Sequence, residues 1–318
     1  MYDEINRRKI LKAGVAAGAV SLVSGWLDGQ TIPAPSAQTD KIASTDARAQ
    51  ATPIRTTQLD KNLYMFRGVA EAVYLHTGPE GNLVIDTSPY AAVPNLLDAI
   101  AQVSAGRPWL LIDGHWHNAK GNESMHAAGY TVVAHQKTRE RMSAPQTMNI
   151  LHHSYPAAPA GALPSITFEQ ELHLWRNNEA LSLTYIGPAH SDGDIAVRFH
   201  KADYLFVGDI WYGGMVPFFD EDSGGSIGGV IRACEKAYSL AGPDTKILTG
   251  EGPAGTRADL QKYRDALVTI RDRVAALKAS GATEQEVIAR RPAAPYDSGW
   301  TKSVIDTDQF VGLVYRTL

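Results

Sequence analysis

The chain has 318 residues, of which 44% are hydrophobic and 20% charged, and its formal net charge is −4. This length allows a large folded domain, and the mild negative charge gives no electrostatic reason to expect a nucleic acid partner. Cys234 is the only cysteine, so an intrachain disulfide is excluded, and its helical surroundings predict a buried structural thiol.

The N-terminal residues have the features of an export signal. Arg7 and Arg8 precede a weakly apolar stretch, 13–27, that is rich in alanine, glycine and valine. This arrangement resembles a twin-arginine signal peptide, and the stretch is short and glycine-rich for a bilayer-spanning helix. We therefore expect the twin-arginine export machinery as a partner and a periplasmic or secreted product. An uncleaved membrane anchor is the alternative, but a stable anchor is not expected.

Composition divides the chain into three parts. Residues 1–37 are predicted as the twin-arginine-type signal peptide. Residues 38–56 are predicted as a linker, because the stretch 28–53 is rich in Ala, Ser, Thr, Gln and Pro. A β pattern begins near Leu59 and predicts a folded domain over 57–318.

The first half of this domain alternates strands with helices. Gly78-Pro79-Glu80-Gly81 separates two apolar runs and predicts a hairpin, and apolar residues at helical spacing predict a helix between Pro89 and Gly106. Further elements are predicted as strands over 62–67, 72–76, 82–86, 110–112 and 131–135, and as a short helix over 123–128. Residues 136–164 are predicted to be irregular, either a surface loop or a flap over a site.

The second half is again rich in strands and ends in helices. Alternating apolar residues predict strands over 166–168, 171–175, 181–186, 195–200, 204–207 and 246–249. Helices are predicted over 226–240, 257–280, 284–290 and 306–318. Sheets with helices on their faces are the expected architecture.

Two histidines follow the predicted strand 110–112. His115 and His117 are separated by one residue, and alternation along an extended chain sends both side chains to the same side. Two neutral imidazoles there can bind one transition-metal ion. An HxH pair alone does not specify a metal site, so further ligand-type residues are needed at other strand ends.

Three later residues of ligand type also follow predicted strands, namely His190, Asp209 and Glu251. Taken singly, His190 is equally well an ordinary loop histidine and Asp209 a helix cap. Taken with the HxH pair, they predict a cluster of ligand-type side chains at the strand ends.

These residues and their surroundings resemble the metallo-β-lactamase superfamily, in particular an exported, hydrolase-like branch of it. The resemblance covers nearly all of the mature region. It is carried by Val84–Thr87, His115–His117, Gly121–Glu123, Gly187–Asp194, Gly208–Asp209, Pro217–Asp220, Ser223–Ser226 and 250–263. It implies a mixed α/β (α+β) fold, the αββα four-layer sandwich of two stacked sheets with helices outside.

The resemblance also implies a set of metal ligands. The superfamily pattern is HxHxDH, followed by a histidine, a bridging aspartate and a final histidine. His115, His117 and His190 match the three histidines of the first metal site, and Asp209 matches the bridging aspartate. The final histidine is replaced by Glu251.

The Asp-His pair of the pattern is missing after His117. The chain continues with Asn118-Ala119-Lys120-Gly121-Asn122, and we interpret this as a deletion of two residues. The alternative is a shifted register in which Asp113 and Asn118 join the ligand corner. Either way, a complete binuclear site is not expected, and Lys120 near the missing ligand would repel a second cation.

One divalent metal is therefore the expected cofactor. Zinc on the three histidines, with Asp209 as fourth ligand or water-orienting base and Glu251 as an additional oxygen ligand, is the favoured interpretation. A single iron on two histidines and a carboxylate is a second one. A cluster without metal, held together by hydrogen bonds, is the third.

Four further residues are candidates for the surroundings of the site. Asp86 and Asp192 stand in turns where a carboxylate can accept a proton from a ligand imidazole, or simply cap its own turn. Trp116 and Tyr212 are candidates for an aromatic pocket wall or for ordinary core positions.

The resulting functional hypothesis is an exported hydrolase of an ester, lactone, thioester or amide, with a small-molecule substrate. Asp209 is the expected catalytic group that orients water or accepts its proton. The competing hypotheses are a non-catalytic small-molecule-binding protein and a mononuclear iron enzyme on the same scaffold.

Overall fold

The computed structural model describes residues 47–68, 71–87 and 89–318, so the predicted signal peptide lies outside the described residues. Residues 47–51 are helical, Ala49 is buried, and the first strand already begins at Arg55. The boundaries 1–37, 38–56 and 57–318 stay predictions. Among the described residues, no helix combines the length and apolarity needed to cross a bilayer.

The described residues form fifteen strands. They are β1 (Arg55–Asp60), β2 (Leu63–Arg67), β3 (Val73–His76), β4 (Asn82–Ile85), β5 (Pro108–Ile112), β6 (Thr131–His135), β7 (Gln146–Met148), β8 (His153–Tyr155), β9 (Ile166–Phe168), β10 (Glu171–Arg176), β11 (Glu179–Tyr185), β12 (Ile195–Phe199), β13 (Tyr204–Phe206), β14 (Lys246–Leu248) and β15 (Gly255–Thr256).

Eight α-helices occur between these strands and after them in the same residues. They are α1 (Val93–Val103), α2 (Asn122–Ala127), α3 (Gln136–Met142), α4 (Ile227–Leu240), α5 (Arg257–Ala279), α6 (Glu284–Ala289), α7 (Ala294–Asp297) and α8 (Thr307–Arg316). Capping boxes at Thr256, Thr283 and Asp306 set where α5, α6 and α8 begin.

The strands form two large sheets. The first has the order β1-β2-β3-β4-β5-β6-β9 and the second the order β10-β11-β12-β13-β14-β15, while β7 and β8 pair only with each other. Within the sheets, β4 and β5 run parallel, and so do β13 and β14. The carboxyl ends of β4 and β5 therefore lie at one edge of the first sheet, and those of β13 and β14 at one edge of the second.

Three apolar clusters show how the layers stack. One joins the inner faces of both sheets, for example Tyr74 with Phe206 and Leu83 with Val197. A second packs α1 against the outer face of the first sheet, and a third packs α4, α5 and α8 against the second sheet. The alternation of β3, in which Val73 and Leu75 face outward and Tyr74 inward, buries both sides of the strand. The result is the αββα sandwich expected from the sequence.

Two parts of the sequence-based description were wrong. The segment 136–164 is not irregular throughout, because it contains α3 and the β7–β8 hairpin. Strand β1, Arg55–Asp60, was missed because it is an edge strand with mostly exposed polar residues and no apolar run. The other predicted helices and strands occur, with ends displaced by a few residues.

Candidate metal centre

Three histidines meet where the two sheets present their strand ends. His115 and His117 follow β5, and His190 lies in the turn before β12. One ring nitrogen of each lies within 4.8 Å of the others, and no other such group of three ligand-type residues occurs within the described residues. We call these three residues the histidine side of the site. The structure therefore brings together the three histidines that the sequence predicted.

The outward nitrogens of two of these rings are held by fixed partners. His190 Nδ1 donates to the carbonyl oxygen of Phe218 at 3.0 Å, and His117 Nε2 lies 3.1 Å from Asp220 Oδ2. Asp220 also accepts from Ser223 Oγ, which itself accepts from Trp116 Nε1 at 3.1 Å. These contacts leave His190 Nε2 and His117 Nδ1 facing each other at 2.8 Å.

The chemistry of this donor set fits a metal ion. His115 Nε2 is buried and has no hydrogen-bond partner among the described residues. If His190 Nδ1 and His117 Nε2 carry the protons, then His190 Nε2 and His117 Nδ1 each have a free lone pair. Two lone pairs that face each other repel, and a cation bound by both nitrogens removes this repulsion. Three neutral imidazoles with outer hydrogen bonds are a typical zinc ligand set. The three histidines therefore fit one transition-metal ion, whose identity they leave open.

Burial keeps the imidazoles neutral, as metal binding requires. It lowers the pKa of His190 to about 4, against the opposing effects of the Phe218 carbonyl and Asp220. The pKa values of His115 and His117 also lie well below their usual range, first because of burial and then because a proton on either ring would be repelled by one on His190. Protons therefore compete weakly for these nitrogens near neutral pH.

Asp209 lies beside the histidines at the end of β13. Its Oδ2 is 3.6 Å from His115 Nε2 and 4.0 Å from His190 Nε2, and the residue is only 6% exposed. Burial, and then the charges of Glu71 and Glu251, raise the pKa of Asp209 well above its usual range. Its carboxyl thus lies beside two of the histidines, while its roles as a ligand and as a proton acceptor stay predictions.

Glu251 lines the same cavity, together with Glu71, a residue that the sequence analysis missed. Burial, and then Glu71, raise the pKa of Glu251 to about 7, while Arg67 lowers it. We call Glu71, Asp209 and Glu251 the carboxylate side. Glu71 precedes β3 in a segment without any ligand motif, so only the pairing of its neighbour Ala72 with Gly250 could have revealed it.

The carboxylates predicted to support the histidines have other roles. Asp86 accepts from the Gly114 amide at 2.6 Å and from Asn118 Nδ2 at 3.0 Å, so it fixes the turn that leads to the HxH pair. Asp192 forms an ion pair with Arg141 at 2.8 Å. Of the two alternatives left open for these carboxylates, neither shows a hydrogen bond to a ligand imidazole, and Asp220 is the carboxylate that contacts His117.

The shifted register, in which Asp113 and Asn118 join the ligands, is not what the structure shows. Asp113 Oδ2 accepts from Asn122 Nδ2 at 2.8 Å, and Asp113 does not belong to the group that could hold a metal. Asn118 Nδ2 donates to Asp86 Oδ2 at 3.0 Å. The turn Trp116–Asn118 continues directly to Gly121 and α2. The Asp-His pair of the pattern has no counterpart in this short turn.

The centre opens into a cavity of about 680 Å³. Tyr212 and Phe218 line it, with rings 6.2 Å and 5.3 Å from that of His190. Lys120 also lines it from an exposed position, with Nζ 5.4 Å from the ring of Tyr155 in β8. Trp116 instead packs against His117, with ring centroids 4.2 Å apart, and is buried. The β7–β8 hairpin also borders this cavity, as the flap interpretation of 136–164 expected.

Comparisons with known proteins support the fold. No family model matches the sequence, and no curated protein matches it. A metallo-beta-lactamase from Pontibacter korlensis is similar in structure, with a TM-score of 0.56 and 16% identity over 67% of this chain and 98% of that one. The DIM-1 metallo-beta-lactamase has a TM-score of 0.53 and 17% identity, over 68% and 98% of the two chains. With this likeness and its buried histidine group, the chain has the metallo-β-lactamase fold, in its mixed α/β, αββα form.

Proposed function

We propose that this protein is an exported metal-dependent hydrolase that cleaves an ester, lactone, thioester or amide at a mononuclear site. The observation that carries the proposal is the histidine side, where inward nitrogens converge while outward nitrogens are fixed by Phe218 and Asp220. Ligands held in one orientation before the metal arrives are typical of functional metal sites.

His115, His117 and His190 would hold the metal. A divalent ion bound there lowers the pKa of a coordinated water to near neutrality and polarises a carbonyl oxygen. Asp209 would orient the attacking water and take up its proton, because its Oδ2 lies 3.6 Å from His115 Nε2. Tyr212 and Phe218 form an apolar wall against which a small substrate packs.

A single metal is proposed because the second ligand set is incomplete. The carboxylate side keeps Asp209 but has Glu251 in place of the final histidine, and the Asp-His pair is absent. Within the described residues, the three histidines are the one group of three whose ligand atoms all lie within 4.8 Å of one another. We favour zinc, since three imidazoles suit it, and iron is the alternative.

A non-catalytic binding protein on the same fold is the second candidate. Lys120 at the mouth of the cavity and Glu251 at the former histidine position favour it, because both depart from a hydrolytic site. In that protein the cavity would bind a small molecule without turning it over.

Elemental analysis of the protein, purified from its own export pathway without added metal, separates these candidates. We expect about one equivalent of zinc or iron, which disappears in the double variant His115→Ala, His190→Ala. Hydrolysis of chromogenic ester, lactone, thioester and amide probes is then compared for the two proteins. Metal content near zero after zinc loading would leave the binding protein as the better explanation.

We also propose export by the twin-arginine pathway, with the periplasm or the exterior as destination. The support is the sequence alone, with Arg7 and Arg8 ahead of an apolar stretch. Replacing both arginines by lysine should retain the protein in the cytoplasm, as measured by cell fractionation. Unchanged export, or a mature mass that still contains Met1, would contradict this assignment.

A further inference from the structure

The carboxylate side is assembled by main-chain hydrogen bonds between separate strands. The Ala72 amide donates to the Gly250 carbonyl at 2.8 Å, which brings Glu71 beside Glu251. The Gly250 amide donates to the Gly208 carbonyl at 3.3 Å, which brings the same segment beside Asp209. A side chain at Gly250 would collide with Asp209 Oδ1, so only glycine allows this close approach. These main-chain hydrogen bonds therefore place the three carboxylates along one wall of the cavity.

No lysine or arginine of the described residues forms an ion pair with the buried member of this wall. Asp209 is only 6% exposed, and its Oδ1 has no hydrogen-bond partner among the described residues. Within 4.0 Å its contacts to basic side chains in those residues are to His115 and His190, at 3.6 Å and 4.0 Å. A buried carboxylate without a partner is costly, and a ligand of opposite charge would remove that cost.

The surrounding cations do not fill this position. Lys120 lowers the pKa values of His115 and His117 and so acts on the histidine side. Arg67 lowers the pKa of Glu251, but its hydrogen bond goes to the Gly252 carbonyl at 2.6 Å. Arg48 and Lys302 line the cavity without an ion pair to these carboxylates in the part of the chain that is described.

Spacing distinguishes a second metal ion from a larger cation. Metal ions lie about 2.0–2.6 Å from their oxygen ligands, so three ligand oxygens fall within about 5 Å of one another. The carboxylate side does not form such a group, since only the histidines do within the described residues. An ammonium group donates hydrogen bonds of about 2.8 Å and therefore bridges oxygens up to about 5.6 Å apart.

We propose that the carboxylate side binds a primary ammonium group of the substrate, next to the metal centre. The substrate class is then an amine-bearing ester or amide whose ammonium occupies the place where a second metal would otherwise lie. This inference rests on the proposed function, because the histidine side must hold a metal for the substrate to be cleaved.

The test compares two metal-binding probes of the same shape. Zinc-loaded protein is titrated calorimetrically with β-alanine hydroxamate, which carries an ammonium, and with butanohydroxamate, which carries a methyl group instead. We expect the ammonium probe to bind about tenfold more tightly. In the double variant Glu71→Gln, Glu251→Gln this preference should disappear while the affinity for butanohydroxamate stays the same. The matched control is Glu123→Gln, an exposed glutamate on α2, which should keep the preference.

Each other outcome overturns the inference in a recognisable way. Equal binding of both probes to the unaltered protein would reject the ammonium site and leave the metal-dependent hydrolase intact. Binding of neither probe, with no zinc retained, would reject both proposals. Uptake of a second equivalent of zinc, manganese or calcium that is lost in the double variant would show a metal site instead. Thermal unfolding of each variant verifies that it is folded.

Discussion

The histidine side and the carboxylate side lie at the same strand ends but differ in how far the protein satisfies their polar atoms. His190 and His117 have outer nitrogens fixed by Phe218 and Asp220, and Ser223 and Trp116 continue that network. On the carboxylate side, Asp209 keeps an oxygen without any partner among the described residues. The histidine side is thus held in one orientation by hydrogen bonds, whereas the carboxylate side keeps a buried oxygen for which these residues supply no hydrogen bond.

This difference has an energetic reason. Imidazoles can be buried in their neutral form at moderate cost, whereas a buried carboxylate pays for desolvation unless a proton or cation accompanies it. The raised pKa of Asp209 and the value of about 7 for Glu251 reflect that cost. The carboxylate side is therefore the half of the site whose charge depends on its occupant.

The largest expected effect comes from removing one histidine. His190→Ala should lower bound zinc from about one equivalent to near zero, because two imidazoles rarely retain the ion. Inductively coupled plasma analysis of dialysed protein measures this loss. Glu251→Gln is the matched change on the other side and should keep the full zinc content. Equal zinc loss in both variants would erase the distinction between the two sides.

A smaller effect on zinc binding is expected from a residue that contacts a metal-ligand histidine but not the metal. Asp220→Ala should weaken zinc binding about 10- to 100-fold, because His117 loses the acceptor that orients its ring. Competition with a chromogenic chelator gives the affinity. Asp192→Ala, which breaks only the ion pair with Arg141, should change the affinity little. If the Asp192 variant were the weaker binder, the assignment of the supporting carboxylate would be wrong.

The zinc affinity should fall only slightly as the pH is lowered from neutral to moderately acidic values. Protonation of an imidazole opposes metal binding, and an ordinary histidine begins to lose its metal below a pKa of about 6.5. Because the pKa of His190 is lowered to about 4, and those of its neighbours are also lowered, protonation begins only at lower pH. The dissociation constant should therefore change less than about threefold between pH 7.5 and 5.5. A tenfold weakening over that range would mean that the histidines titrate normally.

The smallest expected effect lies in the helical layer, away from both sides. Thr256 caps α5 by accepting from the Asp259 amide, and Asp259 caps Thr256 in return. Thr256→Ala should lower the free energy of unfolding by about 1 kcal/mol. Urea denaturation measures this change, and zinc content should remain constant. A loss of zinc in this variant would show that the site depends on the outer layer more than its contacts indicate.

Much of the fold could be predicted from the sequence because its signals are local. Apolar alternation predicted most strands, helical spacing predicted α1, and turn residues predicted the hairpin before β4. The misses were segments with weak local signals, namely the exposed edge strand β1 and the hairpin inside 136–164. An edge strand gains its order from its neighbour, which no local pattern reports.

For the site, the sequence by itself determined the histidines, since HxH after a strand and a histidine before another are visible as residue types. Tertiary structure alone decided their partners. Asp86 and Asp192 were reasonable supports by proximity in sequence, but Asp220, about a hundred residues from His117, took that place. Glu71 likewise joined the carboxylate side through pairing between strands. Hydrogen-bond partners across a fold depend on side-chain direction and distance, and these exist only once the sheets have stacked.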